Sequence, residues 1–146
     1  MSNDIKMNKQ QIMGILPHRD PFLLIDEVTE IETGKHVKAL KYVDESEYYF
    51  KGHFPQEKVM PGVLIIESLA QAGAVAILSM DENRGKIAYF GGIKNAKFRQ
   101  KVVPGDKLEL EVTLDKVRSK AGTGSAVATV NGKMACRCDI MFALGD

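Results

Sequence analysis

The second half of the chain alternates apolar and polar residues in a way that predicts β-sheet. Residues 108–114 are apolar at every second position, which is typical of a strand with one buried face. Asn131 and Gly132 join a strand-like stretch at 126–130 to another at 133–143, and this dipeptide is a strong signal for a tight hairpin. We therefore expect antiparallel strands to make up most of this half.

The first fifty residues carry shorter signals. A helix is predicted to begin near Asn8, a residue type favoured at helix N-caps, and to end by Leu16, because a proline follows there. An apolar run predicts a strand over residues 22–32. Gly34 then predicts a turn into a second strand over residues 36–43.

Residues 61–80 are apolar on nearly every face, which predicts a helix buried within the protein. A membrane span is disfavoured because Glu67, Ser68 and Gln71 interrupt the stretch. Pro61 suits the first helical position, where its missing N–H costs nothing. The predicted fold class is α+β, with one long central helix wrapped by an antiparallel sheet.

Composition suits one soluble domain over residues 1–146, with 45% hydrophobic and 27% charged residues. A net charge of +1 argues against a nucleic-acid binder that relies on bulk charge.

Cys136 and Cys138 have no common zinc or redox spacing, so we expect two buried thiols on one strand face. The N-terminus lacks the apolar segment of a secretory signal, which favours a reducing cytoplasm. No cluster has metal-ligand spacing, so no metal is expected.

His53 and Glu67 are the candidate acid–base residues. Glu67 is the only ionisable side chain within residues 61–80, and burial of a carboxyl group favours its protonated form, which suits a proton donor. His53 lies just before the predicted helix, and imidazole exchanges protons near neutral pH. Two alternatives stay open on local physics alone: a structural histidine, and a carboxylate that holds a strand or a subunit interface.

The start of the predicted helix adds a site for negative charge. The backbone N–H groups of Gly62 and Val63 have no helical partner there and carry partial positive charge. Such groups stabilise a developing oxyanion. A base, an acid and oxyanion donors around one buried tunnel predict proton abstraction next to a carbonyl group.

Three ordered motifs resemble those of the β-hydroxyacyl-acyl-carrier-protein dehydratases of the FabZ type. Residues 52–71 resemble the family's signature and read GHFPQEKVMPGVLIIESLAQ. Residues 16–28 resemble its N-terminal motif and read LPHRDPFLLIDEV. Residues 90–108 resemble a third motif and read FGGIKNAKFRQKVVPGDKL. The resemblance covers nearly the whole chain.

The resemblance implies the hot-dog fold and the removal of water from a (3R)-hydroxyacyl-acyl-carrier-protein. The product is the trans-2-enoyl chain of type II fatty acid biosynthesis, and no cofactor is needed. The family forms homodimers and often trimers of dimers, in which His53 acts as base and Glu67 of the partner subunit acts as acid. By the same match the Gly62 N–H polarises the thioester carbonyl, and Tyr89 and Phe90 line the acyl tunnel, with Tyr89 as its gate.

Four basic residues form a candidate docking face. Lys97, Arg99 and Lys101 alternate along one predicted strand face, with Lys94 nearby. A solvated basic strand is the simpler interpretation. Because the family's substrate is carried by an acidic acyl carrier protein, we predict that this face binds that carrier.

Two positions depart from the family motifs. Lys58 stands where proline is usual, which loosens the loop between His53 and the helix. Asp20 stands where tyrosine usually follows His-Arg, which affects substrate entry.

Three other functions compete with simple dehydration. The nearest rival is a bifunctional dehydratase that also isomerises trans-2 to cis-3 double bonds. Relatives dedicated to that isomerisation usually carry aspartate at the position of Glu67, which favours simple dehydration here, although some glutamate-bearing members isomerise as well. Hot-dog thioesterases do not share the histidine motif. A non-catalytic acyl-binding regulator needs a DNA-binding segment, and few residues precede the first motif.

Overall fold

The computed structural model describes residues 6–145, which build a six-stranded antiparallel sheet packed on one long helix. The helices are α1 (Lys9–Met13) and α2 (Gly62–Leu78), with short 3-10 turns at Tyr48–Lys51 and Asp81–Asn83. The strands are β1 (Glu27–Glu32), β2 (His36–Tyr42), β3 (Ile87–Phe98), β4 (Lys107–Val117), β5 (Ala121–Val130) and β6 (Lys133–Gly145). Their order across the sheet is β1-β2-β4-β5-β6-β3. The predicted α+β class is confirmed.

The buried helix is confirmed as α2. From Ile65 to its end every side chain except that of Glu67 is buried, because the sheet covers one side and the loops cover the other. Pro61 occupies the N-cap rather than the predicted first helical position, since its ψ of 134° is extended. Within residues 6–145 no helix is long and apolar enough to cross a membrane.

The hairpin between β5 and β6 is confirmed at the predicted dipeptide. Asn131 has a φ of 53° and Gly132 a φ of 79°, and two consecutive positive values define the turn that suits the twist of paired strands. The turn sets the register of β6, which lies between β5 and β3.

The prediction of a strand over residues 22–32 is wrong in its first half, and only the second half is a strand. Residues 23–25 are all buried instead of alternating. The Leu24 N–H donates to Gln71 Oε1 at 2.9 Å, and the Leu24 carbonyl accepts from Lys41 Nζ at 3.2 Å. At Leu24, side chains rather than a neighbouring strand therefore satisfy both backbone groups.

The predicted helix start at Asn8 is confirmed, and so is the prediction that the helix ends by Leu16. The Asn8 side chain accepts from the Gln11 N–H at 3.0 Å, while the Gln11 side chain accepts from the Asn8 N–H at 2.8 Å. This reciprocal pair forms a capping box. The helix ends at Met13 because the chain turns at Gly14, before the proline is reached.

Cys136 and Cys138 are buried free thiols on the inner face of β6, as predicted. Burial raises the pKa of the Cys136 thiol to about 12. Burial, with a smaller contribution from the Asp139 carboxylate, raises the pKa of the Cys138 thiol to about 11. Both groups are protonated at neutral pH and fill core space.

Strand β3 lies at the edge of the sheet and pairs with β6 among the described residues. Most of its length is exposed. Its exposed large apolar side chains are Tyr89, Phe90, Ile93 and Phe98. A long edge strand of this kind presents unpaired backbone groups and apolar surface that a second chain can cover.

Candidate active site

His53 lies in the loop between β2 and α2, two residues after the end of the 3-10 turn Tyr48–Lys51. Its backbone N–H donates to the Tyr49 carbonyl at 3.1 Å, and its ring stacks on Phe54 with centroids 4.0 Å apart. Nδ1 lies 2.8 Å from the Val59 carbonyl oxygen. Because a carbonyl only accepts, Nδ1 carries the hydrogen and Nε2 keeps its lone pair. His53 is therefore oriented with one basic nitrogen unused by this bond.

Glu67 lies near the start of α2, with its side chain 15% exposed. Its Oε2 accepts a hydrogen bond from Gln71 Nε2 at 2.9 Å. His18 Nε2 is 3.6 Å from the same oxygen, beyond hydrogen-bond distance. Oε1 has no hydrogen-bond partner within residues 6–145. One oxygen is thus held in place while the other is open to a ligand.

The N-terminus of α2 has no side-chain cap. The Leu64 N–H donates to the Pro61 carbonyl at 2.9 Å, whereas the N–H groups of Gly62 and Val63 have no acceptor in the described part of the chain. The Phe98 ring packs directly on Gly62, where a Cβ atom would lie 2.6 Å from Cε1. Glycine at this position therefore lets the end of β3 approach the two unpaired donors.

Within one chain, His53 and Glu67 lie in different pockets. The first joins the His53 loop, the start of α2 and the end of β3, and is lined by His53, Val59, Gly62, Phe98, Arg99 and Lys101. The second joins α2 to the start of β3, and is lined by His18, Glu67, Gln71, Tyr89, Phe90 and Phe142. One chain by itself does not bring the two candidate acid–base residues together.

The remaining predicted site residues fall on or next to β3. Tyr89 and Phe90 border the Glu67 pocket. Arg99 and Lys101 border the His53 pocket. Tyr89 and Phe90 are exposed in the single chain, so neither closes the pocket beside it.

The predicted alternation of basic residues along one strand face is wrong in part. Lys94 and Lys97 belong to β3 and border neither pocket, whereas the strand ends before Arg99. Lys101 Nζ lies 2.8 Å from Glu57 Oε2 on the surface. Only Arg99 and Lys101, which follow the end of β3, therefore lie at the rim of the His53 pocket.

Both departures from the family motifs lie at the surface. Lys58 Nζ is 3.5 Å from Glu45 Oε2. Asp20 faces Lys9, with 3.8 Å between the carboxylate and the ammonium group. Neither residue lines one of the two pockets.

Sequence reasoning missed Gln71 and His18, which lie beside Glu67, and also the buried Lys41 of β2. Gln71 follows Glu67 by four positions, which places both on one helix face, so that spacing was a usable signal. Lys41 occupies an inward position in the alternating pattern of β2, and this position could be recognised from the sequence. No feature of the sequence indicated that His18 lies near Glu67, because this approach depends on how a distant segment folds over α2.

Comparison with known proteins decides the family. The FabA-like domain family matches residues 16–139. The 3-hydroxyacyl-[acyl-carrier-protein] dehydratase FabZ of Clostridium novyi (strain NT) is 60% identical over 136 residues, which are 93% of this chain and 96% of that protein. The chain belongs to the FabA-like family and is a FabZ-type dehydratase. The FabZ protein of Clostridium botulinum (strain Okra / Type B1) is likewise 60% identical, over 92% of this chain and 94% of its own.

Two solved structures share the fold of this FabZ-type hydro-lyase at low identity. A dehydratase heterocomplex from Xenorhabdus doucetiae matches with a TM-score of 0.80 and 18% identity, over 92% of this chain and 91% of that one. A sigma28-regulated virulence protein from Campylobacter jejuni matches with a TM-score of 0.69 and 15% identity, over 94% and 89% of the two chains. At these identities the likeness concerns the fold alone, and the hot-dog fold is confirmed.

Proposed function

We propose that this FabZ-type dehydratase removes water from a (3R)-hydroxyacyl chain on acyl carrier protein and yields the trans-2-enoyl product in type II fatty acid biosynthesis. His53 is the base, and Glu67 of the partner subunit is the acid. The hydrogen bond from His53 Nδ1 to the Val59 carbonyl carries the proposal, because it leaves Nε2 as the proton acceptor. The reaction takes place in the cytoplasm without a cofactor.

The position of the two pockets supports a site shared between two chains. The start of β3 borders the Glu67 pocket, and the end of β3 borders the His53 pocket. Antiparallel pairing of two β3 edges about a twofold axis places the start of one strand beside the end of the other. This arrangement brings the His53 pocket of one protomer to the Glu67 pocket of its partner. A hexamer of three such dimers is the assembly that the family resemblance favours.

The proposed reaction follows from the groups in each pocket. The thioester carbonyl accepts from the Gly62 and Val63 N–H groups, which stabilise enolate character while His53 Nε2 removes the α-proton. Glu67 then protonates the β-hydroxyl group, the carbon–oxygen bond breaks, and water leaves. Return of the proton from the imidazolium to the carboxylate restores the starting state. Tyr89 and Phe90 line the path of the acyl chain.

Replacing either acid–base residue tests this function. His53→Ala and Glu67→Gln should each lower kcat for a β-hydroxyacyl thioester by ~10²–10⁴-fold, since general acid–base catalysis typically contributes that much. The assay follows formation of the enoyl chromophore. His36→Ala and Glu111→Gln are matched controls, because those side chains bond to each other at 2.6 Å outside both pockets. A folded His53→Ala or Glu67→Gln protein with near-wild-type dehydration contradicts the proposal.

We further propose that the basic rim of the His53 pocket, with Lys94 and Lys97 beside it, docks the acidic carrier protein. Arg99→Glu with Lys101→Glu should raise KM for carrier-linked substrate on the order of tenfold, because like charges then face each other. KM for a small thioester analogue should not change. Lys107→Glu, on another face of the sheet, is the control. Equal effects on both substrates would exclude docking at this rim.

A further inference from the structure

Lys41 is a buried cation in the inner face of β2. It follows two buried apolar residues at alternate positions of the strand and is 4% exposed. Burial of an ammonium group is costly unless an anion and further acceptors compensate. Lys41 Nζ lies 2.7 Å from Glu47 Oε1 and 3.2 Å from the Leu24 carbonyl oxygen. The Lys41–Glu47 ion pair borders neither pocket, so the reaction does not use it directly.

Glu47 connects this ion pair to the loop that carries His53. Its second carboxylate oxygen accepts from the Asp44 N–H at 2.9 Å, and its own N–H donates to the Asp44 carbonyl at 3.1 Å. Glu47 is also the N-cap residue of the turn Tyr48–Lys51. The turn is bonded to His53, because the His53 N–H donates to the Tyr49 carbonyl at 3.1 Å. A short, continuous set of bonds therefore links Lys41 to His53.

The other contact of Lys41 leads towards the acid. The Leu24 carbonyl accepts from Lys41, while the Leu24 N–H donates to Gln71 Oε1 at 2.9 Å. Gln71 in turn donates to Glu67. Lys41 therefore contacts both Glu47, at the start of the turn that leads to His53, and Leu24, which binds the amide that holds Glu67.

We propose that the Lys41–Glu47 ion pair positions His53 for proton abstraction, an inference that rests on the proposed role of His53 as the base. Lys41 is a positioning residue: it holds the start of the loop against β2, and the turn Tyr48–Lys51 passes this constraint on to the imidazole. An apolar residue on the same inward face would fill the core but would leave the loop without this attachment.

Lys41→Met measures the effect of the ion pair on catalysis. Displacement of a catalytic group by about 1 Å can cost up to ~10²-fold in rate, so kcat should fall roughly 10–100-fold while KM changes less than about threefold. Lys38→Met is the matched control, because Lys38 lies on the same strand with its side chain exposed, and kcat should be unchanged. A wild-type kcat for a folded Lys41→Met protein overturns the proposal.

The same replacement in two mutant backgrounds identifies the residue through which Lys41 acts. In the His53→Ala background Lys41→Met should cause no further loss, because no imidazole remains to be positioned. In the Glu67→Gln background the loss should remain 10–100-fold, as in the wild type. A full further loss in the His53→Ala background overturns the proposal. Near-wild-type activity of His53→Ala alone is a different result, which contradicts the proposed function itself.

A double replacement addresses the possibility that Lys41→Met fails to fold with Glu47 left unpaired. Lys41→Met combined with Glu47→Met removes both charges, and such replacements of buried pairs are often neutral or stabilising. The double variant should unfold at a Tm no lower than that of Lys41→Met and still show the reduced kcat. Wild-type kcat in this folded double variant overturns the proposal.

Discussion

Glu67 acquires its orientation from a buried amide one helical turn away. Gln71 makes three hydrogen bonds, to the Leu24 N–H, the Phe22 carbonyl and Glu67. The first two fix the amide, so the third holds one carboxylate oxygen in a defined place. In the proposed reaction, the other oxygen is the one that would meet the substrate. At the residue scale, the proposed acid therefore depends on the hydrogen bond from Gln71 as well as on its own carboxyl group.

Gln71→Ala should destabilise the protein and lower its activity together. It leaves the Leu24 N–H and the Phe22 carbonyl without side-chain partners, and each unpaired buried group costs ~1–3 kcal/mol. We expect the free energy of unfolding in urea to fall by about 2–5 kcal/mol, with a lower kcat. Gln10→Ala, on the exposed face of α1, is the control and should change the free energy of unfolding by less than about 0.5 kcal/mol. Equal stability of the Gln71→Ala and wild-type proteins argues against this account.

Elements whose signals are local could be predicted from the sequence. Asn131 and Gly132 adopt their turn because of their own backbone preferences, and the uniform apolarity of α2 requires burial wherever it packs. The segment before β1 could not be predicted, because the backbone partners of Leu24 at its centre are side chains more than fifteen positions away, those of Lys41 and Gln71. An apolar run with such partners has the same composition as a buried strand.

Gly132→Ala tests the contribution of the hairpin turn to stability. Gly132 has a φ of 79°, and a left-handed backbone costs a residue with a Cβ atom roughly 1–2 kcal/mol. Thermal unfolding should show a loss of about that size in the free energy of unfolding. Gly52→Ala is the matched control, since Gly52 has a φ of −110° and nothing within 4 Å of an added Cβ atom. If both variants lose the same amount, turn geometry is not the cause.

At the scale of the whole molecule, the edge strand β3 connects the two pockets, because one lies at its start and the other at its end. Residue type and motif predict His53 and Glu67 as the acid–base pair, whereas the sequence does not reveal that they lie in two pockets, because that depends on how α2 and β3 are placed. Each chain carries both halves of the proposed site at opposite ends of one exposed strand. Two chains paired along that strand therefore complete two sites.

Co-expression of the His53→Ala and Glu67→Gln chains tests the shared site most directly. Half of randomly formed dimers contain one chain of each kind, and in these dimers one site holds both wild-type residues while the other holds neither. The account predicts recovery to about a quarter of wild-type kcat, although each variant alone is nearly inactive. Activity no higher than that of the two variants measured separately would contradict it.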